Sequence, residues 1–127
     1  MTTVTYTVIL ATHREFMVDN FTTSSDVLLG SFLEISSGTV LAPSKTASSQ
    51  KVVGVASTKV NGEVTVETSG IQWARVVGKI KPGDSLMTTT ITGVASVASC
   101  ANAFNVVALA LDPYDSDRIG TIRVWLK

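Results

Sequence analysis

The 127-residue sequence is short of the residues on which disulfide bonds and metal sites depend, since it contains one cysteine and one histidine. Cys100 has no second thiol in the chain, so an internal disulfide is excluded, and a reducing cytosol is compatible with this composition. Structural zinc sites use four nitrogen or sulfur ligands, and Cys100 and His13 supply two. We therefore predict no metal and no cofactor, and a single domain whose core is stabilised by burial alone.

Charge is also scarce, because only 16% of the residues are Asp, Glu, Lys or Arg. Ten basic and ten acidic residues give a formal net charge of zero, without a run of either sign. Nucleic-acid binding needs a basic face that releases counterions, so no nucleic-acid partner is predicted. A surface this poor in charge favours association, and we expect copies of the chain or another partner to cover part of it.

Long apolar runs are absent, although hydrophobic residues make up 45% of the chain. A membrane-spanning helix needs about 20 consecutive apolar residues, and no stretch approaches that length. The first residues, MTTVTYTVILATHRE, lack the basic region of a signal peptide. The sequence thus predicts a soluble protein made in the cytoplasm, with no membrane partner.

The chain has strand periodicity and almost no helical periodicity. Polar and apolar residues alternate in residues 3–8, 63–67 and 121–126, and Asn61-Gly62 between two such stretches is a two-residue hairpin signal. The predicted class is all-β, as a compact single-domain β-barrel or sandwich. The residues predicted to point inward are Leu33, Ile35, Val53, Val55, Val64, Val66, Leu86, Val107, Leu109, Ile122 and Val124.

Two parts of the β domain, residues 27–70 and 80–127, follow the same order of features. Each contains a turn with glycine and leucine, a glycine hairpin, a buried apolar strand and an alternating strand. A duplication would give two pseudo-equivalent halves, while chance similarity between short β segments is the alternative. In this alignment Asp84 of IKPGDSLMTT matches Ser31, and both side chains can cap a turn. We therefore interpret Asp84 as a turn residue and not as a catalytic acid.

Few residues suggest chemistry, and no catalytic residue is predicted. The acidic stretch 112–117, with Asp112, Asp115 and Asp117, could bind a hard cation, but it lacks EF-hand spacing and also suits a solvated hairpin loop. Trp73 and Trp125 could stack on a sugar or a base. Tryptophan on an alternating strand more often packs or lies in an interface.

Residues 27–127 resemble the small capsid decoration, or cement, proteins of tailed bacteriophages. The similar segments are FLEISSGTVLAP, VVGVAS, NGEVTVETSGIQWARVVGKIKPGDSL, TGVASV and the closing VVALALD and GTIRVWLK. The acidic step DPYDSDRIG is longer here than in that family, and residues 1–25 have no counterpart in it.

The resemblance implies a structural virion protein without enzymatic activity. Such a protein binds the major capsid protein on the outer capsid surface as a homotrimer and stabilises the head lattice. The alternative function is a small β-barrel module that binds a ligand or a carbohydrate.

Residues 1–25 are predicted to form an N-terminal arm or edge strand that pairs with a neighbouring sheet, beside a β domain at residues 26–127. Another strand of the chain's own barrel is the alternative for this segment. The residues predicted to contact the capsid or another subunit are Val4, Tyr6, Val8, His13, Arg14, Phe16, Phe21 and Trp125.

Overall fold

The computed structural model describes residues 7–11, 17–23, 26–38, 40–60, 62–98 and 105–127, with the backbone alone for 7–11 and 17–21. Eleven β-strands lie in these ranges: β1 (Thr7–Ala11), β2 (Met17–Thr23), β3 (Phe32–Ser37), β4 (Val40–Pro43), β5 (Val52–Val60), β6 (Glu63–Glu67), β7 (Gly70–Ile80), β8 (Ser85–Thr88), β9 (Ala95–Val97), β10 (Ala108–Ala110) and β11 (Tyr114–Leu126). The all-β prediction is confirmed. No helix in the described part of the chain is long and apolar enough to cross a membrane.

The strands form two closed β-barrels, one after the other along the chain. The first barrel has the order β1-β2-β4-β3-β5-β6, and the second has the order β10-β11-β7-β9-β8. Val60 pairs with Glu63 at the β5–β6 connection, which confirms the hairpin predicted there. Closure gives each described strand a neighbour on both sides, but the longest strands are paired on one side over much of their length. β10 pairs with β11 only at residues 124–126, and β9 pairs with β7 only at Val76.

The two barrels share a strand order once β1 is set aside. The order of neighbours in the first barrel is β2-β4-β3-β5-β6. In the second barrel it is β7-β9-β8-β10-β11, so that β7 matches β2, β9 matches β4, and so on. The directions agree as well: β2–β4 and β7–β9 are parallel, and the other three matching pairs are antiparallel. The second barrel begins at β7, and so at Gly70, earlier than the half predicted at residues 80–127.

The described part of the N-terminal segment belongs to the first barrel. β1 pairs antiparallel with β2 and parallel with β6, for example through Val8 with Phe21 and Val8 with Val64. Backbone groups that a free arm would offer to a neighbouring sheet are thus paired within the chain. For residues 7–11 and 17–23 the structure corresponds to the alternative interpretation, a strand of the chain's own barrel, and not to an arm or an edge strand.

The core has two connected clusters, one in each barrel. Leu33, Leu41, Val64 and Val66 belong to the cluster of the first barrel. The cluster of the second barrel contains Phe32, Val55, Val76, Ile80, Leu86, Ile122, Val124 and Leu126, among others. Phe32 and Val55 come from the first barrel, so β3 and β5 contribute side chains to both clusters. Gly54, Val55 and Ala56 are consecutive and all buried, so this part of β5 is buried on both faces.

Most of the residues predicted to point inward do so, but the prediction is wrong for Ile35 and Leu109. Leu109 lies between buried Ala108 and Ala110 in β10 and pairs with exposed Trp125, so its side chain is on the outer face. Leu33, Val55, Val64, Val66, Leu86, Ile122 and Val124 are buried, and Val53, Val107 and Leu109 are half-buried. Ile35 is 42% exposed. The β3–β5 register shifts between Leu33 and Glu34, and β3 then continues past the core toward its hairpin with β4. The alternation that predicted a buried Ile35 assumes a regular strand, and the register shift interrupts it.

Buried polar groups connect the two barrels. The hydroxyl of Thr88, on β8, is fully buried; it accepts a hydrogen bond from the Ser49 amide at 2.8 Å and donates one to the Thr46 carbonyl at 2.8 Å. Ser49 in turn donates from its hydroxyl to the Glu34 carboxylate at 2.8 Å. Each buried side-chain oxygen and nitrogen of the described residues has a partner. The β4–β5 loop is therefore fixed to the second barrel.

Asp84 has the structural role that its position in a Pro-Gly turn predicts. Its carboxylate accepts a hydrogen bond from the Lys81 amide at 2.8 Å, and its own amide donates to the Lys81 carbonyl at 3.0 Å. Gly83 between them has φ +91°, a conformation that residues with a Cβ rarely adopt. Both polar ends of Asp84 thus close the turn that leads into β8.

Candidate interaction surface

The predicted contact residues divide into three groups in the structure. Val4, Tyr6, His13, Arg14 and Phe16 lie outside the described residues, as does Cys100. Val8 and Phe21 are opposite each other in the β1–β2 pair, and only their backbone is described. The side chain of Trp125 is described, and it lies on the outer face of the second barrel.

Trp125 is part of an apolar surface that spans three adjacent strands. It pairs with Ile71 on β7 and with Leu109 on β10, while Arg123 of the same strand pairs with Trp73. We call these five residues the tryptophan face. Trp73 is 61% exposed, Ile71 58% and Trp125 56%, whereas Ala74 and Val124, which adjoin the two tryptophans in sequence, are buried in the core. Trp73 and Trp125 are diagonal neighbours across the β7–β11 pair, within reach of aromatic side chains.

The tryptophan face contains one cation, and that cation is already paired. Arg123 donates from Nη2 to Asp112 Oδ1 at 2.7 Å and from Nε to Oδ2 at 3.1 Å, a bidentate arrangement. The Arg123 amide also donates to Asp112 Oδ2 at 2.8 Å. These hydrogen bonds lower the pKa of the Asp112 carboxyl and raise the pKa of the Arg123 guanidinium. The face is consequently apolar with one neutral ion pair at its side.

A shallow hollow borders the tryptophan face on the side of the first barrel. Its volume is about 260 Å³, and its lining residues are Leu29, Gly30, Ala56, Ser57, Gln72, Trp73 and Thr121. Leu29 is 51% exposed. Small-molecule sites are usually enclosed clefts of roughly 300–1,000 Å³, so this hollow suits one large side chain better than a ligand.

A second exposed apolar group lies beyond Arg75. Leu28, Ile91 and Ile119 are 56%, 42% and 43% exposed, and they line one depression together with Arg75. The Arg75 guanidinium donates to the Thr92 carbonyl at 3.3 Å. We call Leu28, Ile91 and Ile119 the Leu28 patch. Two apolar surfaces therefore lie on a protein whose surface has little charge.

The acidic stretch at residues 112–117 does not converge on one point. Asp112 is paired with Arg123, and Asp115 lies in β11, where it pairs with Lys79 of β7. Tyr114 is the first residue of β11, so part of the stretch interpreted as a loop is a strand. No group of three His, Cys, Asp or Glu residues among the described positions could hold a metal ion.

Sequence reasoning found part of the tryptophan face. The alternation at residues 121–126 separated Trp125 and Arg123 from the inward residues, and the alternation at Ile71 and Trp73 in β7 can be recognised in the same way. Which of these residues lie side by side cannot be predicted from alternation, because it depends on the register in which β7 and β11 pair. The Leu28 patch has no signal in the sequence, because Leu28 and Ile91 lie in two separate loops and Ile119 lies at the irregular part of β11, and only the fold brings them together.

Comparison of the chain with models of known protein families, with curated proteins and with solved structures gives no match.

Proposed function

We propose that the protein is a structural virion protein that binds the outer surface of a phage capsid and stabilises the head lattice. The observation that carries this proposal is the presence of two exposed apolar surfaces, the tryptophan face and the Leu28 patch, on a chain with 16% charged residues. Interface cores are depleted in charge and enriched in tryptophan and arginine. The resemblance of residues 27–127 to capsid decoration proteins indicates what the partner is.

The structure also has the rigidity that a lattice-stabilising protein needs. Two closed barrels give each described strand a neighbour on both sides, and the Thr88 hydrogen bonds tie the barrels together. A rigid protein loses little conformational entropy when it binds, so more of its contact energy appears as affinity. In this proposal the protein acts by binding, with the major capsid protein and further copies of itself as partners, and no reaction is involved.

Capsid binding can be tested directly on heads that lack the protein. Purified heads are mixed with the protein, sedimented and imaged in negative stain, and the proposal expects saturable occupancy at fixed lattice positions and heads that withstand more heating. We expect Leu28→Thr with Ile91→Thr to reduce occupancy at least tenfold. Val60→Thr is the matched control, because Val60 is 61% exposed at the end of β5 and does not line the depression of the Leu28 patch, and we expect it to bind like the wild type. The absence of saturable binding by the wild type would refute the proposal.

The alternative is a module that binds a small ligand or a carbohydrate, and the two exposed tryptophans make it testable. A sugar that stacked on Trp73 or Trp125 would change the tryptophan fluorescence of the protein. These are the two tryptophans of the chain, so the signal comes from them alone. The nearest charged groups, Asp112 and Arg123, bind each other and so offer few free donors or acceptors to hydroxyls. Titration with soluble oligosaccharides that produced a saturable change would favour this alternative over the virion role.

A further inference from the structure

We infer that the tryptophan face is the surface through which copies of this chain bind one another. The inference adds a specific surface to the proposed function, and it can be tested without a capsid. It is based on four properties of the face: its exposed apolar area, its neutrality, its contrast with the first barrel, and the hollow beside it.

The exposed apolar area of the face is comparable to the largest apolar patch of a typical monomeric protein, and such a patch is often functional. An aromatic side chain presents roughly 150–250 Å², so Trp73 and Trp125 at 61% and 56% exposure contribute on the order of 200–300 Å² together. Ile71 in the face and Leu29 beside it, both more than half exposed, bring the apolar area toward roughly 400 Å², within the range of about 300–600 Å² in which a surface patch is often functional. If only a capsid covered this area, it would be exposed to water whenever the protein is free. A second copy of the chain covers it without a capsid.

The face can be buried without leaving a charge unpaired. Its one guanidinium, on Arg123, already has the Asp112 carboxylate as a bidentate partner. Breaking up a buried pair is costly, whereas a pair that enters an interface intact leaves no orphaned charge. Because the face is neutral, it also meets an identical face without repulsion between like charges. A symmetric contact between two copies requires this kind of self-complementarity.

The first barrel shows that the fold does not need a tryptophan at this place. Val55 pairs with Glu67 in the first barrel, as Leu109 pairs with Trp125 in the second. The strand orders are equivalent, so Glu67 occupies the position that Trp125 occupies. A half-buried glutamate is accommodated there, so closing a barrel of this kind does not require a tryptophan at this position.

The same face carries both a projecting side chain and a hollow to receive one. Trp125 is the projecting indole, and the hollow of about 260 Å³ lies on the far side of Trp73, bordered by Leu29 and Thr121. The strongest contributions to interfaces come from large aromatic side chains that fill pockets of the partner. Two copies that face each other can each place the Trp125 indole against the hollow of the other copy.

The experiment measures self-association of the full chain by sedimentation velocity together with its tryptophan fluorescence. We expect the wild type at tens of micromolar to have a multiple of the monomer mass. On dilution its emission should move to longer wavelength and its quenching by acrylamide should increase. Both tryptophans of the chain lie on the face, so the fluorescence reports on no other site. Trp73→Thr with Trp125→Thr should weaken association at least tenfold, and Val60→Thr should associate like the wild type.

Several results would overturn the inference. These are a wild-type monomer at all concentrations, a double variant that associates as strongly as the wild type, or a fluorescence change that occurs only on adding heads or only on adding an oligosaccharide. If the double variant does not fold, the wild-type dilution series and Trp125→Thr alone decide the question. Failure of head binding with intact self-association would refute the proposed function and leave this inference standing.

Discussion

Gly30 and Gly83 occupy the same position in the two barrels and make the same hydrogen bonds. Each has a positive φ, +86° and +91°. Gly30 donates from its amide to the Ala56 carbonyl at 2.8 Å, and Gly83 donates to the Ala110 carbonyl at 2.7 Å. The main-chain carbonyl of the residue after each glycine, Ser31 or Asp84, accepts a hydrogen bond from the amide of that same alanine. The turns that open β3 and β8 are one structure used twice.

The pair allows a matched test of backbone strain against crowding. An added Cβ at Gly83 has no neighbour within 4 Å, whereas at Gly30 it lies 3.2 Å from Arg75 Cγ and 3.4 Å from the Arg75 amide nitrogen. We expect Gly83→Ala to lower the free energy of unfolding by about 1–2 kcal/mol, the cost of a left-handed residue with a Cβ. Gly30→Ala should cost more, as measured by urea denaturation. An equal or smaller loss at Gly30 would show that Arg75 moves aside freely.

Burial predicts a clear difference between two valines. Val124 is fully buried in the second barrel, and Val60 is 61% exposed on the first. Val124→Ala should lower the free energy of unfolding by about 1–3 kcal/mol, because apolar contacts are lost and a cavity remains. Val60→Ala should change it by less than about 0.5 kcal/mol. Equal effects of the two substitutions on the urea midpoint would contradict the burial of β11.

The Asp112–Arg123 pair predicts a pH dependence of defined direction. The hydrogen bonds from the Arg123 side chain and amide lower the pKa of the Asp112 carboxyl below its ordinary value, so the ionised form is favoured in the folded state. The stabilisation is therefore complete above the unfolded pKa and is lost as the pH falls through the folded pKa. We expect Asp112→Asn to lower the thermal midpoint at pH 7 and to approach the wild type near pH 2. A difference between the two proteins that stays constant across this range would count against the pair.

The place of β1 in the first barrel can be tested by deletion. Removing residues 1–11 removes β1, which pairs with both β2 and β6, and so opens the barrel. We expect the shortened protein to lose the cooperative unfolding transition or to unfold at a much lower temperature, as followed by circular dichroism. Retention of full stability would restore the interpretation of this segment as an arm. In that case its binding to heads becomes the decisive comparison with the full chain.

The sequence by itself determined the class of the fold and the local turns. The alternation at residues 121–126 separated buried Val124 from exposed Trp125, and the Pro-Gly-Asp turn assigned Asp84 a structural role. These features are local, since side-chain alternation and turn conformation depend on a few neighbouring residues. The order of features in residues 27–70 and 80–127 corresponds to four matching strands, β3 to β6 and β8 to β11, and did not include β2 and β7, which complete the shared order.

Only the tertiary structure decided which strands close each barrel and which exposed residues lie together. The sequence left open whether residues 7–11 form an arm or a barrel strand, because strand propensity does not specify the partner that receives the backbone hydrogen bonds. Ile35 follows the same alternation as Leu33, and a shift in register with β5 leaves it exposed. Trp73 and Trp125 are far apart in the chain and meet through the pairing of β7 with β11. Long-range pairing is chosen by the packing of the whole core, and a local pattern cannot supply it.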